Sequence, residues 1–355
     1  QHHATLARKK ANCNYSIAPL EMGCTRGRAE PCRAAVGKGP VPCSGSVAIA
    51  MLGRATDKKR LPAVEPKLHD PGIEAFREDP RAPVKLAYSS NAYRRWSMGE
   101  AIARIARIGY QGMELMADVP HAWPATLSDA QIGEMRRRIS DAGLTLSNVN
   151  AFMMTAVQDF WHPSWIEADA DFRRLRVQHT MAALRLARKL GAKCVTTEPG
   201  GPLEAGMSRA KAMDLFDEGL KEALHRAEDD GVHLLVEPEP GLLIENAAQF
   251  EELAARMDSP MFGLNFDIGH FYCVGEPLPE AIARLARWTR HYHIEDIAAT
   301  RVHEHLVPGH GAIDFAAVLK AIDATGYEGW ITVALSLSRR PRRRGPRGPR
   351  VSQST

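Results

Sequence analysis

Asp267, His270, His293, His303, His305 and His310 fall in or just after two short apolar runs, LNFDIGHF and RHYHIEDIAATRVHEHLVPGHG. Carboxylate and imidazole together are the ligand set of Zn²⁺, Mn²⁺, Co²⁺ or Fe²⁺, and no thiolate accompanies them to close a structural zinc site. An Asp at the end of an apolar run such as GLNFD is costly to bury without a partner. Taken singly, Asp267 could cap the following turn and each histidine could lie at the surface. Clustered on two neighbouring strand-like ends, they read instead as a metal site.

The elements that must position them begin at Val84. VKLAYSS reads as a strand, followed by a helix over SMGEAIARIARIGY with Ser97 as N-cap, Glu100 completing a capping box and Gly109 as its stop. GMELM, LTLSNVN, KCVTTEPGG, VHLLVEPEPG, FGLNFD, HYHIED and WITVALS read as seven more strands. Between them come helical segments at LSDAQIGEMRRRISDAG, capped by Ser128, then FRRLRVQHTMAALRLARKLG and SRAKAMDLFDEGLKEALHRAEDDG. Three more are expected near 246–257, 278–288 and 314–325. Eight apolar strands alternating with seven helices over about 250 residues predict an α/β fold, a (β/α)8 TIM barrel. A doubly wound open sheet is the runner-up, but SSNAYRR follows the first strand in place of a glycine-rich turn. In a barrel, chemistry gathers where strands end and βα loops begin. That places Glu198, Glu237, Asp267 and His293 around one mouth.

Composition sets the flanks apart. The chain has 355 residues, 45% apolar and 25% charged, with a formal net charge of +4. Residues 1–83 hold 14 Lys/Arg against 8 Asp/Glu, and 336–355 hold 7 Arg and no acid. The middle therefore carries 25 Lys/Arg against 34 Asp/Glu, and such an acidic body is a poor binder of nucleic-acid backbone. Residues 1–83 lack periodicity and are expected to be a disordered or non-native extension; 84–335 form the barrel. The Arg/Pro/Gly-rich stretch 336–355 is expected to be a disordered tail standing where the eighth helix is missing. The first residue is Gln1 rather than Met, as in a fragment or an extended reading frame. Cys13, Cys24, Cys32 and Cys43 show no C-x-x-C spacing, and Cys194 and Cys273 are scattered, which suits a reducing cytoplasm. No run of about 18 apolar residues predicts a membrane span.

Residues 84–335 resemble the sugar phosphate isomerase/epimerase group with the xylose-isomerase-like TIM barrel, to which endonuclease IV is related. The resemblance rests on the order of GYQGMEL, LLVEPEP, NFDIGH, HYHIED, PGHGAIDF and GYEGWITV. It implies one divalent metal (Mn²⁺, Mg²⁺, Co²⁺ or Zn²⁺) held by Glu237, Asp267 and His293, with His270 beside the substrate oxygens. It also implies a fourth ligand, a Glu on strand 8, where this chain has Ala334. Alanine can neither bind a metal nor move a proton, so one ligand and one acid/base group are lost. Glu198, Glu239 or His305 are the candidate substitutes.

The chemistry implied is removal of a proton beside a carbonyl, giving an enediolate while a metal neutralises the developing charge. Glu237 and His270, with Glu198 and Glu239, are the candidate catalytic groups. Glu198 and Glu239 each precede a proline in extended backbone expected at the mouth. His121 and Trp123, in DVPHAWP, either contact substrate or pack the loop. His303 and His305, spaced i, i+2, point one way only if the backbone there is extended. The expected function is a cytoplasmic metal-dependent isomerase or epimerase of a sugar-like polyol or keto acid, with a homo-oligomer left open. The alternatives are an endonuclease IV-like phosphodiesterase and a catalytically impaired barrel that only binds metal or metabolite.

Overall fold

Strands and helices are sorted here by where their apolar side chains fall: both faces of the strands are covered, but only one stripe of each helix. The computed structural model describes residues 84–335. The expectations for 1–83 and 336–355, including the missing eighth helix and the four N-terminal cysteines, lie outside the described residues. The strands are β1 (Lys85–Ser89), β2 (Gly112–Met116), β3 (Thr145–Asn150), β4 (Cys194–Thr197), β5 (His233–Val236), β6 (Phe262–Asp267), β7 (Thr289–Ile294) and β8 (Trp330–Val333). All pair in parallel in sequence order, and β8 closes on β1 with Lys85 opposite Trp330. The fold is a (β/α)8 TIM barrel, as the alternation predicts.

Helices α1 (Met98–Ile108), α2 (Asp129–Asp141), α3 (Ala170–Leu190), α4 (Arg209–Asp230), α5 (Ala247–Ala254), α6 (Ile268–Cys273), α7 (Leu278–Leu285) and α8 (Phe315–Ala324) follow their strands. Their starts are written locally. Ser97 accepts from the Glu100 amide while Glu100 reaches back, and Ser128 and Gln131 repeat the arrangement. Gly109 ends α1 at φ 101°, a left-handed conformation that a side chain would strain. The one helix the sequence reading lacks is α6. It is a six-residue helix capped by Asp267 itself, whose carboxylate accepts from the His270 amide at 2.9 Å.

Two kinds of interior result. Outward strand residues such as Leu115, Val195, Leu234, Leu264, Phe266, Tyr292 and Ile331 pack against the helices in one apolar core. The barrel axis is instead polar and hydrogen-bonded. Asn148 Nδ2 donates to Thr196 Oγ1 at 2.7 Å and to Glu114 Oε2 at 2.9 Å. His291 lies between Asn265 Oδ1 (3.0 Å) and Thr332 Oγ1 (2.9 Å), so Nδ1–H donates and Nε2 accepts. Burial holds that ring down at about 3, so it is neutral. A buried polar row of this kind is stable only when its members satisfy one another.

Candidate active site

The β-strand ends bring the ligand-type residues together by register. Asp267 stands opposite His293 across β6 and β7, and His293 opposite Thr332 across β7 and β8. Glu237 leaves β5 one residue past Val236, and α6 carries His270 back over the same space. The cavity they share has a volume of about 340 Å³. Its floor is Glu237, Asp267, His270 and His293, and its walls include Glu239, His303, His305, Phe152, Phe160, Trp161 and Ala334.

His293 is the pivot. Its Nε2 lies 2.6 Å from Glu114 Oε2 and its Nδ1 2.7 Å from Glu237 Oε1, with Asp267 Oδ2 at 3.7 Å. Burial opposes its charge, but the Glu114 and Glu237 carboxylates outweigh that and hold the imidazolium well above the usual range. Glu114 in turn resists burial through the His293 charge, which holds it down at about 2. Burial pushes Glu237, Glu239 and Glu295 upward, with neighbouring carboxylates adding to the effect. Asp267 is held low despite burial by His270 and its other neighbours.

The histidine tautomers follow from their partners. His270 Nδ1 lies 2.8 Å from the Pro238 carbonyl, which can only accept, so Nε2 is bare and faces Asp267 Oδ2 at 3.7 Å. Burial holds this ring down at about 4. His305 Nδ1 donates to the Ala334 carbonyl at 2.8 Å, leaving its Nε2 to accept from His303 Nε2 at 3.0 Å. Both rings of the RVHEH segment therefore point the same way.

This donor set fits a divalent cation. Five carboxyls (Glu114, Glu237, Glu239, Asp267 and Glu295) are buried around one imidazolium, and the upward push on three of them marks a crowding of acidic groups that a dication would relieve. Glu237, Asp267 and His270 offer ligand atoms all within 4.8 Å of one another, as do His270, His303 and His305.

Several residues singled out from sequence stand elsewhere. Glu198 does not line the cavity. It turns behind it, accepting from the Trp165 amide at 3.1 Å, with Arg176 Nε at 3.8 Å, because the chain leaves β4 there and strand alternation stops. His121 is packed with Nε2 at 3.2 Å from the Tyr93 and Trp96 carbonyls, and Trp123 stacks on His179 at 4.6 Å. Neither lines the cavity; the DVPHAWP loop folds onto its own neighbours. His310 is exposed and also outside it. Ala334 does face the cavity, and its carbonyl rather than a side chain makes the contact.

Three residues escaped the sequence reading. Glu114 sits mid-strand in GMELM, and its signal was a charge inside an apolar run that needed a partner. Glu295 follows His293 on the inward side. Asp296 organises the next loop, accepting from the amides of Gly309 (2.8 Å), Gly311 (2.7 Å) and Ile313 (3.2 Å).

Residues 102–351 match the model of the xylose isomerase-like TIM barrel family. The inosose dehydratase of Geobacillus thermodenitrificans is 27% identical over 172 residues, 41% of this chain and 58% of that protein. The chain spans about half the length of the first curated relatives it matches, 58% and 45%. The crystal structure of a D-tagatose 3-epimerase-like protein superposes with a TM-score of 0.61 at 24% identity, covering 71% of this chain and 91% of that one. The IOLI protein with a bound zinc atom superposes with a TM-score of 0.58 at 18% identity, covering 71% and 89%. With seven-tenths of its length inside the family model and the closed barrel that goes with it, this chain belongs to the xylose isomerase-like TIM barrel family.

Proposed function

We propose that the cavity binds one divalent metal through Glu237, Asp267 and His293 and there removes a proton beside the carbonyl of a sugar-like keto-polyol. The observation that carries this reading is the buried surplus of carboxyls facing the bare Nε2 of His270. A bound divalent ion would supply Lewis acidity to a carbonyl and a neighbouring hydroxyl. The chain's own part is positioning and proton transfer. Glu114 accepts from His293 Nε2 and fixes that ring, so that Nδ1 would be the ligand atom, giving up its proton and its contact with Glu237 when an ion binds. His270 presents an acceptor nitrogen toward the cavity. Glu239, the His303–His305 pair and the Phe160–Trp161 wall bound the substrate space and limit water. The similar proteins whose names indicate an inosose dehydratase and a tagatose epimerase-like enzyme support a polyhydroxylated substrate.

Isomerisation or epimerisation returns the proton to carbon and uses acid/base groups on both faces of the substrate. A second reading, dehydration, is favoured by Ala334. The strand-8 side of the cavity carries no carboxylate of its own, and the hydrogen-bonded His303–His305 pair lines the same cavity. Incubating the Mn²⁺-loaded protein with a panel of ketohexoses and cyclic keto-polyols in D₂O tests both. Deuterium at the α-carbon with recovered ketose indicates epimerisation; an absorbing enone indicates dehydration. No exchange with any member would overturn the reading. More than one tightly bound ion per chain would favour the phosphodiesterase alternative, for which the His270–His303–His305 grouping is the structural argument.

A further inference from the structure

β1 lies across the barrel from β5, so the segment leaving β1 meets the mouth opposite Glu237. That segment is a single turn of 3-10 helix, Ser90–Tyr93, pinned where the Asn91 amide donates to Ser89 Oγ at 3.2 Å. Residues three apart eclipse in such a turn, so Asn91 and Arg94 share a face, and both line the cavity. Among the described residues, Arg94 is the only Lys or Arg in that lining, and Glu237, Glu239, Asp267 and Glu304 are its carboxyls. None of the four pairs with it. Its one hydrogen bond is a long one, from Nη2 to Thr155 Oγ1 at 3.4 Å. The carboxylate behind Thr155 is already engaged. Asp118 accepts from the Thr155 hydroxyl at 2.5 Å and from the amides of Val119 (2.8 Å), Thr155 (2.8 Å) and Ala156 (3.1 Å). Thr155 therefore holds the guanidinium at the rim without neutralising it. Beside it, Asn91 Oδ1 is buried with no partner, and a half-turn of that amide puts two N–H donors in its place. An unpaired arginine on an open surface is ordinary. This one lines a cavity whose other charged members are carboxyls and imidazoles, where an anion would otherwise be repelled.

Resting on the keto-polyol reading above, we infer that Arg94, with Asn91, binds an anionic group at the far end of the substrate. The substrate is then a ketose acid or a ketose phosphate, with its keto and hydroxyl oxygens at the carboxyl floor and its anionic group across the mouth. The guanidinium fork matches two oxygens of either group. The acidic floor repels the same group, so charge sets the direction in which the substrate lies as well as its class. Arg94 is on this assignment a specificity-determining residue and takes no part in proton transfer.

The test uses the full chain loaded with Mn²⁺ and three sugars of one skeleton, D-fructose, D-fructuronate and D-fructose 6-phosphate. They differ only in carrying a hydroxyl, a carboxylate or a phosphate at the last carbon. Calorimetry is expected to show at least one of the two anionic sugars binding about tenfold or more tightly than D-fructose, the scale of one hydrogen bond to a charged group. Which of the two it is identifies the anionic group. Arg94→Met is expected to bring that sugar down to the affinity of D-fructose, with circular dichroism and Mn²⁺ binding as in the parent. Arg94→Lys keeps the charge without the fork and is expected to retain part of the preference. A loss as complete as in Arg94→Met would overturn recognition by charge. Equal binding of all three sugars by the parent, or a preference that survives Arg94→Met, would overturn the inference and leave the keto-polyol reading standing. Binding of none of the three would overturn it as well, and proton exchange with the panel above then decides whether the keto-polyol reading survives.

Discussion

The Arg176 cluster beneath the loop after β3 and the carboxyl cluster at the barrel mouth are both fully buried, yet they are built on opposite principles. Arg176 donates to the carbonyls of Pro163, Ala151 and Phe152 at 2.9 Å each and stands 3.8 Å from Glu198. Its charge is absorbed by backbone dipoles and one carboxylate, and the result is a fixed loop that presents Phe152 and, further along, Phe160 and Trp161 to the cavity. At the mouth, five carboxyls share one imidazolium, and burial with the Asp267 charge pushes the Glu295 carboxyl well above its ordinary range, where it shares a hydrogen bond with Asp267. Buried charge alone therefore does not mark a site. What distinguishes the mouth is that its buried carboxyls outnumber the cationic groups beside them.

The strongest way to break this comparison is Arg176→Met. It leaves Glu198 buried without its cation and three carbonyls without donors, a change expected to cost about 3–5 kcal/mol in unfolding free energy. Chemical denaturation should show this loss with or without Mn²⁺, since the cluster does not line the cavity. Insensitivity to the substitution would mean that the loop is held by packing alone.

At the mouth the expectation reverses. Mn²⁺ at about 100 times its dissociation constant should raise the parent's stability by roughly 2.7 kcal/mol, and Asp267→Asn should abolish that gain. Asn can still cap α6, so the metal-free variant should unfold near the parent's midpoint. A metal-free Asp267→Asn that collapses would show that Asp267 is chiefly a cap. Glu114→Gln sharpens the contrast further. It keeps a hydrogen-bond partner for His293 but removes the charge, and should weaken Mn²⁺ binding by about 10–100-fold with little change in fold, as read by calorimetry and circular dichroism.

The smallest effect is expected at an ion pair on the outer ring. Arg226 Nε donates to Asp230 Oδ2 at 2.6 Å, and Arg188 Nη1 lies 3.2 Å from Oδ1. Burial alone would raise the Asp230 carboxyl, but the hydrogen bonds from the two arginines outweigh it and hold it below its ordinary value. A carboxyl lowered in the folded state stabilises above its unfolded pKa, about 3.9, and that contribution is lost as pH falls through the folded value. Asp230→Asn should thus cost about 1–3 kcal/mol at pH 7, and the difference from the parent should shrink below about pH 4. A constant difference across that range would assign the effect to packing.

Local chemistry was legible because it is written within a few residues. The Ser97–Glu100 box, the Gly109 stop and the eight apolar runs each depend on neighbours in the chain, and all appear where the pattern places them. The grouping of Glu237, Asp267, His270 and His293 was legible too, since strand ends of a closed parallel barrel must converge on one mouth. Glu198 shows where that logic stops. Its place after β4 was read correctly, but a side chain just past a strand end is no longer held to alternation, and a buried arginine 22 residues earlier in the chain claims it.

The sequence by itself determined the barrel, because period and capping are properties of short segments, and it determined which strand ends carry ligand-type side chains. Only the tertiary structure decided how those side chains are paired. Glu114 reaches His293 from 179 residues away, and Glu295 comes to rest on Gly269 against Asp267. Such pairings depend on register, on closure of β8 against β1 and on the room left by small residues such as Gly269 and Ala334. These are relations between strands, and no single stretch of chain encodes them.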